Sequence, residues 1–235
     1  MENQNLFKWK HYQPFIILLI VRWYLRYNLS FRDVVEMMEE RGLSITHTTI
    51  MRWVHQYGPE LDERVRHHLK STNDSWRVDE TYIKVKGQWM YLYRAVDSEG
   101  NTIDFYLSKT RDHKAAKCFF KKALRSLHVS NPRVITVDKN PAYPIAIEEL
   151  KNEKKMPGGI QIRQVKYLNN IVEQDHRFIK KRVRPMFGLK SFRTATFIIS
   201  RIETMNIIKK GQLVSRNQSV QNQVKIIHQL FGLAA

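Results

Sequence analysis

The chain has 235 residues, 43% hydrophobic and 26% charged, which suits a globular protein of one large or two small domains. Its 40 Lys and Arg oppose 22 Asp and Glu, and the resulting +18 points to a polyanionic partner, nucleic acid before membrane surface. One cysteine, Cys118, excludes an internal disulfide and a cysteine-based zinc cluster, and the longest apolar run, residues 15–21, is too short to span a bilayer.

The excess charge is uneven. Residues 1–70 carry 10 basic and 8 acidic side chains, whereas residues 163–210 carry 12 and 3, a net of +9. A merely soluble basic protein is the plain alternative to a nucleic-acid binder. Cys118 lies among Ala115, Ala116, Phe119 and Phe120 and is expected as a small buried hydrophobe. With no apolar span and no small-residue cleavage site after residues 15–21, the protein is expected to be soluble, cytoplasmic and not membrane-bound.

In chain order, Pro14 can occupy the first turn of a helix running to about residue 27. Ser30 and Asp33 resemble a capping box, and the helix they open turns Val34, Val35 and Met38 inward before stopping at Gly42. Thr46 can cap a third helix, with Ile50, Trp53, Val54 and Tyr57 on one face and Gly58-Pro59 as its end. Near residues 70–75 the period changes. Residues 76–84, 88–96 and 102–107 read as an antiparallel meander, then a helix at 112–127, a buried strand at 133–137, a helix at 142–152 and a strand at 160–167. Helices at 169–184 and 191–210 close the core, and a short helix in the tail carries Val224, Ile227, Leu230 and Phe231 for packing or a dimer contact. The order βββαβαβαα matches a ribonuclease-H-like mixed sheet. The expected division is a helix-turn-helix domain at 1–70, an α/β catalytic domain at 71–212 and a tail at 213–235.

Three acids stand out against this frame: Asp79 in the first strand, Asp138 just after the fourth, and Glu173 in the first closing helix. Cleaving or transesterifying a phosphodiester needs an activated oxygen nucleophile, a stabilised leaving oxygen and neutralised charge. Two Mg²⁺ ions roughly 3.5–4 Å apart supply all three when carboxylates hold them. Singly, each acid has an ordinary explanation: a helix ion pair for Glu173, an edge-strand charge for Asp79, a turn before Asn140-Pro141 for Asp138. The fold order brings all three to one point. Asp97 and Glu99 are explained by a turn, Glu80 would point to the opposite face from Asp79, and Asp175 lies well around the helix from Glu173. His113 and His176 lack the spacing and thiolate partners of a zinc site.

Cations follow Glu173 on the same helix: His176, Arg177, Lys180, Lys181, Arg182 and Arg184 are candidate DNA or phosphate contacts, with a plain helix-surface role open for His176. Residues 30–57 have a helix-turn-helix layout whose second helix exposes His47, Thr48, Met51, Arg52 and His55. Arg52 could address guanine or phosphate, and Thr48 phosphate or a thymine methyl. A three-helix packing unit without a ligand gives the same pattern.

The segments Trp76-Arg77-Val78-Asp79-Glu80-Thr81-Tyr82, Tyr91-Leu92-Tyr93-Arg94-Ala95-Val96-Asp97 and Tyr167-Leu168-Asn169-Asn170-Ile171-Val172-Glu173-Gln174-Asp175-His176-Arg177 resemble the IS-six family of bacterial insertion-sequence transposases. The resemblance runs to about Gln212. It implies an aspartate-aspartate-glutamate transposase with Asp79, Asp138 and Glu173 as catalytic metal ligands for two Mg²⁺ ions (Mn²⁺ able to substitute), and Lys180 as the basic residue seven positions after the glutamate. It further implies double-stranded DNA partners (terminal inverted repeats and target), 3′-end cleavage, strand transfer with cointegrate formation, a homodimer or higher synaptic assembly, and a bacterial, nucleoid-associated setting. Asn170 stands where many related families carry arginine; asparagine is characteristic of this group. A non-catalytic DNA-binding regulator and a ribonuclease-H-like nuclease without strand transfer are the competing classes.

Overall fold

Pro14 opens α1 (Pro14–Arg26) at a turn where its missing N–H leaves no bond unmade. Ser30 caps α2 (Phe31–Glu39) through a reciprocal box: the Asp33 N–H donates to Ser30 Oγ at 3.2 Å and the Ser30 N–H to Asp33 Oδ2 at 2.7 Å. Thr46 Oγ1 accepts from the Thr49 N–H at 3.3 Å and starts α3 (His47–Arg66). β1 (Ser75–Val85) and β2 (Gln88–Asp97) follow, joined by a two-residue turn in which both Lys86 (φ 49°) and Gly87 (φ 80°) are left-handed, the geometry that matches strand twist in a tight hairpin. Then come β3 (Thr102–Ser108), α4 (His113–Ala123), β4 (Val134–Val137), α5 (Ala142–Asn152) and β5 (Gln161–Gln164). α6 (Asn170–Val183), a 3₁₀ turn (Arg184–Met186), α7 (Phe192–Lys210) and α8 (Val220–Leu230) complete the chain. The computed structural model describes residues 6–165, 170–186, 189–213 and 219–233. The expected strand at 160–167 is observed to residue 164, and its last two positions lie outside the described residues.

The sheet order is β3-β2-β1-β4-β5, with β1–β2 and β2–β3 antiparallel and β1–β4 and β4–β5 parallel. This is the ribonuclease-H-like mixed sheet expected from the element order. Strand alternation feeds two cores. One face gives Trp76, Val78, Tyr93 and Ala95 to α4 and α5, where Phe119, Phe120, Tyr143 and Ile147 meet them. The other gives Ile83, Val85, Leu92 and Phe105 to a cluster holding Ile17, Trp53, Tyr57, Ile179, Ile199, Ile202 and Ile227. That second cluster runs across residue 70, so the change of period there is not a break in the hydrophobic core. The tail helix belongs to it too: Phe231 lies 5.9 Å from the Phe7 ring, and Arg64 Nη1 donates to the Leu230 carbonyl at 2.6 Å. No helix among the described residues is long and apolar enough to cross a membrane.

Two expectations fail for the same reason, that tertiary packing decides. α3 does not stop at Gly58-Pro59 but runs to Arg66. An interior proline costs about 3 kcal/mol, yet Leu61 and Val65 extend the buried stripe begun by Tyr57, and each contributes roughly 1.5–3 kcal/mol on burial. Gly58 marks a close helix approach, not a stop: a Cβ there would sit 2.9 Å from Arg201 Cγ on α7. Cys118 is exposed, not buried. Ala115, Ala116, Phe119 and Phe120 take the inward face of α4 at one helical period, which leaves position 118 facing out.

Candidate active site

The parallel ladder between β1 and β4 pairs Ser75 with Val134 and Arg77 with Thr136, then ends. Two residues further along each strand the chain places Asp79 and Asp138 side by side at the carboxyl end of β4. Asp79, Glu80 and Asp138 each offer a carboxylate oxygen, all within 4.8 Å of one another. Glu80 does leave β1 from the opposite face, with Trp76 and Val78, as alternation demands. Its carboxylate nevertheless comes near Asp79, because β1 has no β4 partner beyond Arg77 to wall the two apart.

Both Glu80 oxygens are occupied. Oε2 accepts from the Tyr143 hydroxyl, and Oε1 accepts from the Arg111 guanidinium and from Asn140 Nδ2 at 3.4 Å. Arg111 also stands 3.8 Å from Asp138 Oδ2, and the Asn140 N–H donates to Asp138 Oδ1 at 3.0 Å. The turn after β4 thus holds Asp138 while its Asn140 side chain accepts the Ala142 N–H at the start of α5. Sequence reasoning set Glu80 aside and did not single out Arg111 or Tyr143. These three support the acids from behind.

Burial pushes the Asp79 carboxyl up from 3.8 to about 7; the Glu80 charge adds to this, a backbone hydrogen bond from Glu80 opposes it, and the Asp138 and Glu173 charges raise it further. Glu173 itself is exposed in the first turn of α6 and lies outside the tight cluster of three, yet its field reaches Asp79. A carboxyl raised in the folded state keeps its proton between pH 3.8 and about 7, a window in which the unfolded chain has already lost it. Folding stability therefore falls as pH rises through that window. Neutral His176 acts in the opposite sense below pH 6.5, so the effect is read against Asp79→Asn. Relative to that variant, the wild-type melting midpoint is expected to drop between pH 5 and pH 8 and to recover at pH 8 on adding Mg²⁺, which binds the ionised form. Asp79→Asn should lose most of both effects, a difference of roughly 2–4 kcal/mol. A melting midpoint with the same pH slope in both proteins would contradict it.

Behind the acids, His176 is 5% exposed with Nδ1 3.8 Å from Asp79 Oδ2. Burial, with Arg94 and Lys180 adding, takes its pKa down to about 3 against the pull of Asp175, so the ring is neutral. His176 is thus neither a surface phosphate contact nor a plain surface residue. Next to it lies a fully buried cation. Arg94 Nε donates to Glu203 Oε1 at 2.6 Å, and Nη2 donates to Glu203 Oε2 at 2.8 Å and to Asp175 Oδ2 at 2.6 Å. Lys210 Nζ stands 2.8 Å from Asp175 Oδ1, which also accepts from Asn206 Nδ2 at 3.1 Å. Burial would raise Asp175, but Arg94 and then Lys210 outweigh it and hold it down at about 2. Two cations and two anions close the cluster and fasten α6 to β2 and α7. Asp175 points in, so Glu173, two residues earlier, points out.

The candidate DNA contacts divide. His47, Thr48, Met51, Arg52 and His55 are all exposed on α3, with the His55 ring stacked 4.7 Å from Phe197. Arg177, Lys180, Lys181 and Arg184 are exposed on or just after α6. Arg182 is not: it is 1% exposed, and its guanidinium lies 4.7 Å over the Tyr24 ring. It ties α6 to α1 through a cation–π contact and is out of reach of a phosphate.

A family profile described as a DDE domain matches residues 73–212. Two Staphylococcus aureus proteins, the transposase for insertion sequence-like element IS431mec and the transposase for insertion sequence element IS257 in transposon Tn4003, are each 40% identical over 178 residues, covering 76% of this chain and 78% of theirs. Among solved structures, the HTLV-2 integrase catalytic core domain in complex with magnesium is similar at a TM-score of 0.39 and 18% identity, over 67% of this chain and 83% of that one. A simian T-cell lymphotropic virus intasome in complex with PP2A regulatory subunit B56 gamma gives 0.42 and 16%, over 70% and 63%.

Proposed function

This chain belongs to the IS-six family of DDE-type insertion-sequence transposases, and from that membership we propose that it binds the terminal inverted repeats of an insertion sequence, cleaves their 3′ ends and joins them to target DNA. Water displaces the 3′ oxygen from a phosphodiester at each element end, freeing a 3′-hydroxyl. That hydroxyl then attacks a target phosphodiester, one P–O bond forming as another breaks, and the product matures into a cointegrate by replication. Neither step needs a covalent enzyme intermediate. Two ends must be held at once, which calls for a dimer or larger synaptic assembly.

The observation that carries this reading is the meeting of Asp79 and Asp138 at the end of β4, with the charge of Glu173 felt at Asp79. The donor set fits hard divalent cations: it is all oxygen, and carboxylate oxygens of Asp79 and Asp138 lie within 4.8 Å of each other with the Glu173 charge felt at Asp79. Asp79, Asp138 and Glu173 would hold two Mg²⁺ ions, with Mn²⁺ able to substitute. Bound there, the ions would supply activation of the attacking oxygen and neutralisation of charge on the phosphoryl oxygens. Glu80 positions: its oxygens are taken by Tyr143, Arg111 and Asn140. Arg177, Lys180, Lys181 and Arg184 offer phosphate contacts beside the acids, and His47, Thr48 and Arg52 present a recognition surface to the major groove.

Purified protein, DNA carrying matched terminal repeats and a plasmid target, incubated with Mg²⁺ or with EDTA, test the reading. Joined product is expected with Mg²⁺ and none with EDTA. Nicked DNA without joined product would make the protein a nuclease, and binding in both conditions with no cutting would make it a regulator; either result overturns the proposal.

A further inference from the structure

Further along β1 and α6 from the acids lies a cleft of about 900 Å³ whose aromatic floor the strand-transfer chemistry does not use. Its floor is the β1–β2 hairpin, where Tyr82, Trp89 and Tyr91 stand together: the Tyr82 ring is 6.4 Å from Trp89 and 5.3 Å from Tyr91. Tyr91 is half-buried against the core, but the other two rings are not core. Trp89 is 62% exposed and Tyr82 45%, an unusual solvation cost for side chains of this size. Lys84, Lys180 and Arg184 rim the cleft, Lys84 Nζ lying 5.7 Å over the Trp89 ring, and no carboxylate is among the described lining residues.

Position narrows the occupant. Tyr82 follows Asp79 by three strand residues, about 10 Å of rise, and Lys180 follows Glu173 by seven helical residues, also about 10 Å. Tyr82 leaves β1 from the face that carries Glu80, opposite Asp79, but β1 has no β4 partner beyond Arg77, and at that open edge the rings share one cleft with Lys180 and Val183 of α6. The cleft therefore sits a nucleotide or two along from the scissile phosphate. Exposed aromatic faces ringed by cations suit a nucleobase whose phosphate can reach an ammonium or guanidinium group. A paired base inside a duplex has no free face to offer, so the base must be unpaired. A second copy of this chain is disfavoured by charge, since each copy carries +18 and every charged residue among the described lining is a cation.

Resting on the transposase reading above, we propose that this cleft is a stacking site that receives an unpaired nucleotide next to the cleavage point, with Trp89 and Tyr82 as its faces. Opening the terminal base pair would then be part of how the end enters the active site. The cost of unstacking is met by the aromatic contact, and a frayed or mismatched end should bind better than a fully paired one.

The test uses the full chain and a short fluorescein-labelled oligothymidylate in EDTA, read by fluorescence anisotropy. Trp89→Ala and Tyr82→Ala are each expected to weaken binding by about 5- to 100-fold, whereas Trp89→Phe keeps most of the affinity. Both side chains are exposed, so an unchanged melting midpoint certifies the fold. A duplex with a mismatched terminal pair should bind the wild type more tightly than its paired counterpart, and Trp89→Ala should erase that preference. Unchanged affinity in both alanine variants overturns the proposal, as does a loss of self-association with no change in DNA affinity. Because the probe carries no element end and no metal is present, failure of DNA joining would leave this site standing. Normal joining with unaltered oligothymidylate binding would sink this site alone.

Discussion

Asp79→Asn, Asp138→Asn and Glu173→Gln are each expected to reduce strand transfer by a thousandfold or more while end binding survives. A thousandfold is about 4 kcal/mol of barrier, a size that loss of one charged ligand from a metal site can supply, since the ions contribute several kcal/mol of charge stabilisation. The three variants should differ in stability. Asp79 is held in its acid form up to about pH 7 by burial and by its neighbours, so an amide there removes repulsion and should raise the melting midpoint of the metal-free protein at pH 8. Glu173 is exposed, and its amide should leave the midpoint nearly unchanged. Glu80→Gln is the informative companion. If Glu80 only positions, its amide should cut joining far less than Glu173→Gln does, because the amide oxygen can still accept from Arg111 while the amide N–H donates to the Tyr143 hydroxyl oxygen. The reverse order, with Glu173→Gln active and Glu80→Gln dead, would replace Glu173 by Glu80 as the third ligand. Full joining by Asp79→Asn or Asp138→Asn would refute the assignment of a carboxylate-held metal centre.

Period and caps carried most of the fold. Ser30 with Asp33, Thr46, and the switch to β-branched and aromatic runs after residue 75 are local signals, and local chemistry obeys them. The acids were legible because Asp79 and Asp138 sit at strand positions that the sheet order must bring together. Signals that depend on a distant partner were not legible. Gly58-Pro59 looks like a helix stop until Arg201 on α7 explains the glycine. Arg182 looks like one more cation in a basic run until Tyr24 of α1 covers it. The Arg94 cluster joins side chains 81 and 109 residues apart. Its traces in the sequence are Arg94 and Glu203, lone charges among apolar neighbours (Leu92, Tyr93, Ala95 and Val96 for the first; Ile199, Ile202 and Met205 for the second), where an unpaired charge could not stay.

That cluster carries the largest expected effect on stability. Arg94→Met is expected to destabilise the protein by about 3–5 kcal/mol, because it strands Asp175 and Glu203 in a buried site with Lys210 alone to balance them. For a chain of this length that is a fall of roughly 6–20 °C in melting midpoint, measurable by calorimetry at pH 7. The double variant Arg94→Met with Glu203→Met removes one charge of each sign and leaves the Asp175–Lys210 pair intact. It should regain half or more of the loss, since the cost lies in the imbalance of charge and not in the absence of an ion pair. A single variant within 1 kcal/mol of wild type would mean that water reaches Glu203 and Asp175, against their burial. The consequence for the acids follows from geometry: Asp175 is the anchor that turns Glu173 outward. Below its melting range Arg94→Met should therefore join DNA more slowly than wild type even where it is fully folded, and the double variant, in which Lys210 has Asp175 alone to balance and not Glu203 as well, should recover part of the rate.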